Sequence, residues 1–299
     1  MTLRVGVAGL GTWGKRIHIP ALIAHPGVEL VGVWGRDPAA AAQVAESFGV
    51  SAFAGYQQLL NDVDVVDLAV APAAQPALAE AAIAAGRHLL MEKPVALDVP
   101  TGSRLAAMVA DHGVEAVVFV ARLFDPARSA WLIDRTAEEW GHGTTEWTSG
   151  AFLPGNPFAG KWRDEAGPLM DVAPHMISQL ELVLGPIHTV NSATRADDGT
   201  ISVGFKHESG ATSTMLADMY AEVPMTEELV RFTKGASYLD YRGENPDYLA
   251  AHGRAIDELL SRVAGDQPAH IGIRQLSSVF AGVRTIQLIR EAHALLACD

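Results

Sequence analysis

The chain has 299 residues, 49% of them hydrophobic and 19% charged, with a formal net charge of −13. That composition can fill the cores of one large or two medium domains and argues against a disordered chain. The acidic balance argues against nucleic acid or an anionic membrane as the main partner, because phosphate backbones demand clustered Lys and Arg.

The one cysteine, Cys298, leaves no intramolecular disulfide or cysteine metal cluster. The opening MTLRVGVAGLG enters a strand pattern at once and lacks the pattern of a signal peptide. The longest apolar stretch, AVAPAAQPALAEAAIAAG, is broken by prolines, Gln75 and Glu80. No transmembrane helix is expected, and the expected location is the cytoplasm.

The first 120 residues alternate between apolar runs and helical patterns. Strands are predicted at 3–9, 28–34, 63–70, 88–91 and 115–121, and helices at 15–25, 37–49, 76–86 and 99–113. Pro20 is an irregularity inside the first helix. Asp37, Pro38 and Gly49 are placed to cap, open and stop the second. Strands alternating with helices of this length predict βαβ units and a doubly wound parallel sheet. Residues 126–140 then read as helix, 141–170 as a long loop rich in Gly, Pro and Trp, and 174–185 as helix stopped by Gly185-Pro186. Five strand candidates between 186 and 242, separated by turns such as Asp198-Gly199, predict an antiparallel meander. The remainder returns to helix. Two domains are expected, 1–121 and 122–299.

GLGTWG, Gly9 to Gly14, is a GxGxxG after a predicted strand and before a predicted helix. In that setting it marks a dinucleotide loop: a tight turn at Gly9, close backbone approach at Gly11, and helix–strand packing at Gly14. The helix N-terminus then faces the pyrophosphate. At the tip of the second strand stands Trp34-Gly35-Arg36-Asp37. A small residue followed by Arg36 suits a ribose 2′-phosphate, so NADP(H) is favoured. Asp37 keeps NAD(H) open, although a helix cap before Pro38 is its plainer role.

Glu92 and Lys93 follow the apolar run of the 88–91 strand, where doubly wound sheets bind ligands. Pro94 restricts Lys93 to extended backbone. Lys93 suits holding a hydroxyl or carbonyl beside a nicotinamide, and a solvated Glu-Lys pair is the bland alternative. Asp171 and His175 are four apart. Either they share a helix face, or Pro174 starts the helix and leaves Asp171 in the preceding turn. No histidine and acid grouping follows a metal-ligand spacing, so no metal is expected.

GLGTWGKRIHIPAL, AGRHLLMEKPVALD and GPLMDVAPHMISQLELVLG, in this order and at these intervals, together resemble the Gfo/Idh/MocA oxidoreductases. The resemblance implies a Rossmann domain followed by an α+β domain with an open, mostly antiparallel sheet. It implies an NAD(P)-dependent dehydrogenase or reductase acting on a sugar, polyol or related compound. It matches Lys93, Asp171 and His175 to the catalytic lysine, aspartate and histidine. Cofactor contacts are expected from Gly9, Gly11, Thr12, Trp13, Gly14, Arg36, Ala71, Pro72, Glu92 and Lys93. Substrate contacts are expected from Lys93, Trp162, Arg163, Arg122 and His175. Glu92 is expected to orient its loop rather than react. The resemblance also implies a homodimer or homotetramer through the C-terminal sheet. An NAD-dependent glycoside hydrolase and a non-catalytic NADP-sensing regulator remain alternatives, the second weakened by retention of Lys93, Asp171 and His175. The chain departs from the usual pattern at Glu165-Ala166-Gly167, Ala173, Ser178 and Pro76, all on the presumed substrate side.

Overall fold

The structure is a computed structural model that describes residues 2–153, 161–223, 225–243 and 246–297. The side chains of residues 161–166 and Cys298 lie outside the described residues. Two compact units emerge, Met1–Phe119 with Tyr248–Val283, and Val120–Asp247 with Arg284–Asp299.

In the first unit, β1 (Leu3–Ala8), β2 (Val28–Trp34), β3 (Ser51–Ala52), β4 (Val65–Leu68), β5 (His88–Glu92) and β6 (Ala116–Phe119) form one parallel sheet, ordered β3-β2-β1-β4-β5-β6. Central β4 and edge strand β6 are both buried along their whole length, and both are mostly apolar. The intervening helices are α1 (Ile19–Ala24), α2 (Pro38–Phe48), α3 (Tyr56–Asp62), α4 (Gln75–Ala84) and α5 (Val99–His112). Local chemistry sets their ends. Asp37 accepts from the N–H groups of Ala39 and Ala40 at 2.9 and 3.3 Å, and Gly49 ends α2 at φ +68°. Asp98 caps α5 through Thr101 N–H at 2.8 Å.

The irregularity expected at Pro20 takes a definite form. Residues Gly14–His18 make a π-turn, closed by Ile19 N–H on the Gly14 carbonyl, before α1 begins. Proline has no N–H to return to the carbonyl four residues earlier, and the wider turn absorbs that loss. The π-turn leaves His18 fully buried.

In the second unit, α6 (Ala121–Phe124), α7 (Pro126–Arg135), β7 (His142–Thr148) and α8 (Lys161–Leu184) precede β8 (Ile187–Arg195), β9 (Ile201–His207), β10 (Thr212–Asp218), β11 (Glu227–Lys234) and β12 (Ser237–Gly243). The sheet order is β12-β11-β7-β10-β9-β8. All pairs are antiparallel except β7 with β10. All five strands expected between 186 and 242 are present, but they do not form one meander. β7, which lies in the stretch read as loop, separates β10 from β11. HGTTEWT alternates buried and half-buried residues as a strand should, yet three threonines and a histidine mask its apolar side.

α8 also begins earlier than expected. Gly167 breaks it at φ +79°, and the helix then runs on through Pro174. Proline there does not start the helix, so Asp171 and His175 lie one turn apart on the same segment.

The chain returns to the first unit with α9 (Tyr248–Ala264) and α10 (Ile271–Leu276), while α11 (Val279–Leu296) begins in the first unit and ends in the second. The sequence gives a single boundary near Arg122, whereas the chain changes unit after Phe119, Asp247 and Val283. Periodicity identifies α9 as amphipathic but not the surface it covers. Its buried stripe includes Ala251, His252, Ala255, Ile256 and Leu259. Arg262 donates to the Ala116 carbonyl at 2.8 Å, and the Ser277 carbonyl accepts from Val118 N–H at 2.8 Å, so the β6 edge is covered.

Candidate active site

The glycine loop connects β1 to the π-turn. Gly9 has φ +114°, and a Cβ there would stand 2.2 Å from the Ala69 carbonyl oxygen. A Cβ on Gly14 would meet the Gly9 oxygen at 2.5 Å. Both are steric requirements of the turn. At Gly11 nothing lies within 4 Å of the Cβ position, so its backbone is approachable from outside. Thr12 is exposed beside it. An open glycine at a helix N-terminus fits a dinucleotide pyrophosphate. At the tip of β2, Arg36 is exposed, while Asp37 is engaged in capping α2. Ala71 and Pro72 follow β4, and the Ala71 carbonyl accepts from the Ala74 and Gln75 N–H groups at the start of α4.

The end of β5 is held by two side chains. Gln75, fully buried, accepts from Glu92 N–H at 2.9 Å and donates to the carbonyls of Glu92 at 2.7 Å and Pro94 at 3.0 Å. It thereby fixes the backbone on both sides of Lys93, whose bond to Pro94 is cis. Glu92 Oε2 accepts from Lys93 N–H at 3.2 Å. Its Oε1 accepts from Trp13 Nε1 at 2.8 Å and lies 3.0 Å from His18 Nε2. His18 Nδ1 is 2.8 Å from Asp67 Oδ1, and His252 Nε2 is 3.2 Å from Asp67 Oδ2. Glu92 therefore ties the glycine loop to the Lys93 peptide.

Electrostatics define the protons in this cluster. Burial alone would lower the pKa of His18, but the Asp67 and Glu92 carboxylates on its two sides outweigh it and push it up to about 10. Burial would raise the Asp67 carboxyl, yet its two histidine neighbours hold it well below the usual carboxylate range. Burial lowers His252, and the charged His18 ring beside it lowers it further. The arrangement is an imidazolium between two carboxylates, with a neutral histidine beyond.

In the second unit, Asp171 and His175 are buried on α8. The Trp147 ring of β7 stacks on the His175 imidazole, with centroids 5.7 Å apart and planes 9° from parallel. The Arg122 guanidinium sits 4.3 Å from the Trp147 ring centroid. Arg122 is buried and paired with Glu228, at 3.1 Å through Nε and more closely through its terminal nitrogen. Glu228 also pairs with the buried Arg128, which reaches Gln179 Oε1 at 3.2 Å. Gln179 and Ser178 both donate to the His175 carbonyl, at 2.9 and 3.1 Å. Within this unit the Trp147 ring thus contacts both the Arg122 guanidinium and the His175 imidazole. Trp162 and Arg163, expected to touch substrate, have side chains outside the described residues.

Residues 3–120 match the family described as "Oxidoreductase family, NAD-binding Rossmann fold". Over this segment the chain is similar to the Gfo/Idh/MocA oxidoreductases. A relative from Streptomyces antibioticus, a dTDP-3,4-didehydro-2,6-dideoxy-alpha-D-glucose 3-reductase, is 38% identical over 114 residues, 38% of this chain and 35% of that protein. The UDP-N-acetylglucosamine 3-dehydrogenase of Acidithiobacillus ferrooxidans is 34% identical over 122 residues, 40% of this chain and 38% of that protein. The matched segments thus span about a third of these relatives. Fold likeness extends further. The WlbA dehydrogenase of Bordetella pertussis, solved with NADH and UDP-GlcNAcA, superposes with TM-score 0.80 at 20% identity, covering 98% of this chain and 97% of that one.

Sequence reasoning missed Gln75, His18, Asp67, His252, Trp147 and Glu228. His18 lies inside GLGTWGKRIHIPAL, and the π-turn that buries it is foreshadowed only by Pro20. Asp67 was the one available signal: an acid in the middle of an apolar central strand needs a buried partner.

Proposed function

We propose that the protein is an NAD(P)-dependent oxidoreductase acting on a hydroxyl or keto carbon of a sugar, with a nucleotide-diphosphate sugar as the substrate class. The observation that carries it is local to the first unit. The open glycine loop after β1 and Lys93 after β5 lie at the carboxyl ends of strands in one parallel sheet, separated only by β4. The substrate class follows the names of the 3-reductase and 3-dehydrogenase relatives.

Gly9, Gly11, Thr12, Trp13 and Gly14 would hold the pyrophosphate of the cofactor. The exposed Arg36 and the engaged Asp37 favour NADP(H) over NAD(H). The nicotinamide, when bound, supplies the hydride acceptor or donor. Lys93 holds the reacting oxygen and stabilises negative charge that develops there. His175 takes the hydroxyl proton in oxidation and returns it in reduction, because an imidazole ring nitrogen can both accept and donate a proton. Asp171, one turn away on α8, orients the imidazole. α7 and α8 pack on the second sheet, and β12 leaves Tyr238 and Leu239 exposed, which supports a homo-oligomer formed through that sheet.

The test is a spectrophotometric panel of nucleotide sugars, free sugars and polyols with NADH, NADPH, NAD and NADP, run on wild type and Lys93→Met. A nucleotide sugar is expected to turn over, faster with the phosphorylated cofactor. The variant should lose about 10²–10³ in turnover while still binding cofactor. Wild-type turnover in Lys93→Met would sink the assignment, and tighter NADH than NADPH binding would sink the role of Arg36.

A further inference from the structure

Beneath the glycine loop, the first unit carries a cluster that none of the roles above uses. His18, Asp67 and His252 are each fully buried, and Glu92 closes one side. Buried ionisable groups are costly unless paired, so such a group of four needs a reason. Every contact in it is of hydrogen-bond length. The chain runs from Trp13 Nε1 to Glu92 at 2.8 Å, Glu92 to His18 at 3.0 Å and His18 to Asp67 at 2.8 Å, and ends at His252, 3.2 Å from Asp67. The Trp13 ring is steadied on its other side by an edge contact to Tyr248, centroids 4.8 Å apart.

His18, Asp67 and His252 also each offer a ligand atom within 4.8 Å of the others, a spacing that a metal ion spans. Protons explain the arrangement better. Both ring nitrogens of His18 face carboxylate oxygens, so both donate, and a doubly protonated ring has no lone pair for a metal.

We propose that Trp13, Glu92, His18 and Asp67 form a positioning relay that couples occupancy of the glycine loop to the placement of Lys93. Glu92 is the joint of this relay. One carboxylate oxygen holds the indole N–H of the cofactor loop, and the other holds the backbone N–H of Lys93. His18 and Asp67 anchor the joint to the core from behind. A cofactor that moves Trp13 pulls on Glu92 and hence on the Lys93 peptide. The proposal rests on the reading that the cofactor binds at the glycine loop, but not on Lys93 being catalytic.

The chain has five lysines, so reductive methylation with ¹³C-formaldehyde gives a tractable NMR spectrum, with Lys93→Arg assigning one signal. Titration with NADH or NADPH, whichever binds, is expected to shift the Lys93 signal in wild type. Trp13→Phe keeps a ring beside Tyr248 and deletes one N–H. Cofactor binding should weaken by about 2- to 10-fold, the worth of one hydrogen bond, while the Lys93 signal no longer follows it. Glu92→Gln should uncouple them in the same way. If that variant does not fold, Trp13→Phe alone decides. A Lys93 signal that tracks cofactor in Trp13→Phe as it does in wild type would overturn the relay, as would a signal that ignores cofactor in wild type. One equivalent of zinc or another divalent metal in the purified protein would also overturn it. Lys93→Met assayed for turnover reports separately on catalysis.

Discussion

Glu228 on β11 lies between two buried guanidiniums, and its loss should be expensive. Its side chain and those of Arg122 and Arg128 are each only 2% exposed. Removing one member of a buried ion network leaves uncompensated charge and costs about 3–5 kcal/mol. Glu228→Ala removes a carboxylate from both buried guanidiniums at once. At about 2–4 °C per kcal/mol for a chain of this size, the transition that unfolds the second unit should fall by roughly 6–20 °C. Glu228→Gln, which keeps an acceptor, should lose less. The assay is thermal unfolding followed by near-ultraviolet circular dichroism, where the tryptophan band also reports whether Trp147 keeps its stack on His175. A loss below about 1 kcal/mol, the value of an exposed pair, would refute the reasoning, because water would then have to reach the network.

Two further outcomes follow from the first unit. Gly11→Ala should leave thermal stability unchanged and weaken cofactor binding in a fluorescence titration, since the new methyl group meets nothing in the protein, whereas Gly9→Ala should destabilise the fold through its clash with Ala69. Equal stability losses in the two would contradict the open backbone at Gly11. The raised pKa of His18 makes its stabilisation complete below about pH 6.5 and lost as pH rises through about 10. Urea unfolding of wild type should therefore lose up to about 1.4 kcal/mol per pH unit across that window. His18→Gln should lack this slope, and a slope that survives in the variant would show the proton to be elsewhere.

The parts of the molecule legible in the sequence are those whose cause is local. GLGTWG, the Asp37–Pro38 helix start and the glycine stop of α2 depend on neighbours a few residues away, and each stands where the pattern puts it. The parallel sheet follows from alternation alone. What was hidden depends on distant partners. β7 reads as loop because its threonines and His142 carry no apolar period, and its place is fixed by backbone pairing with β10 on one side and β11 on the other. α9 is recognisably a helix, but only the fold brings His252 to Asp67. Arg122 lies within the stretch where the domain break was expected, yet its partner, Glu228, is 106 residues away. Gln75 was visible as an interruption of an apolar stretch, and its job of holding both sides of Lys93 was not.

The wide turn at Gly14–His18 is a matter of phase. A regular helix advances about 100° per residue, so one residue more or less between the glycine loop and Pro20 would swing position 18 off its inward bearing and carry a different side chain to Asp67. The spacing from Gly14 to Pro20 is thus itself a functional letter of this sequence, and single-residue deletion within it should do more harm than any exchange at Lys15 or Arg16, whose side chains face solvent.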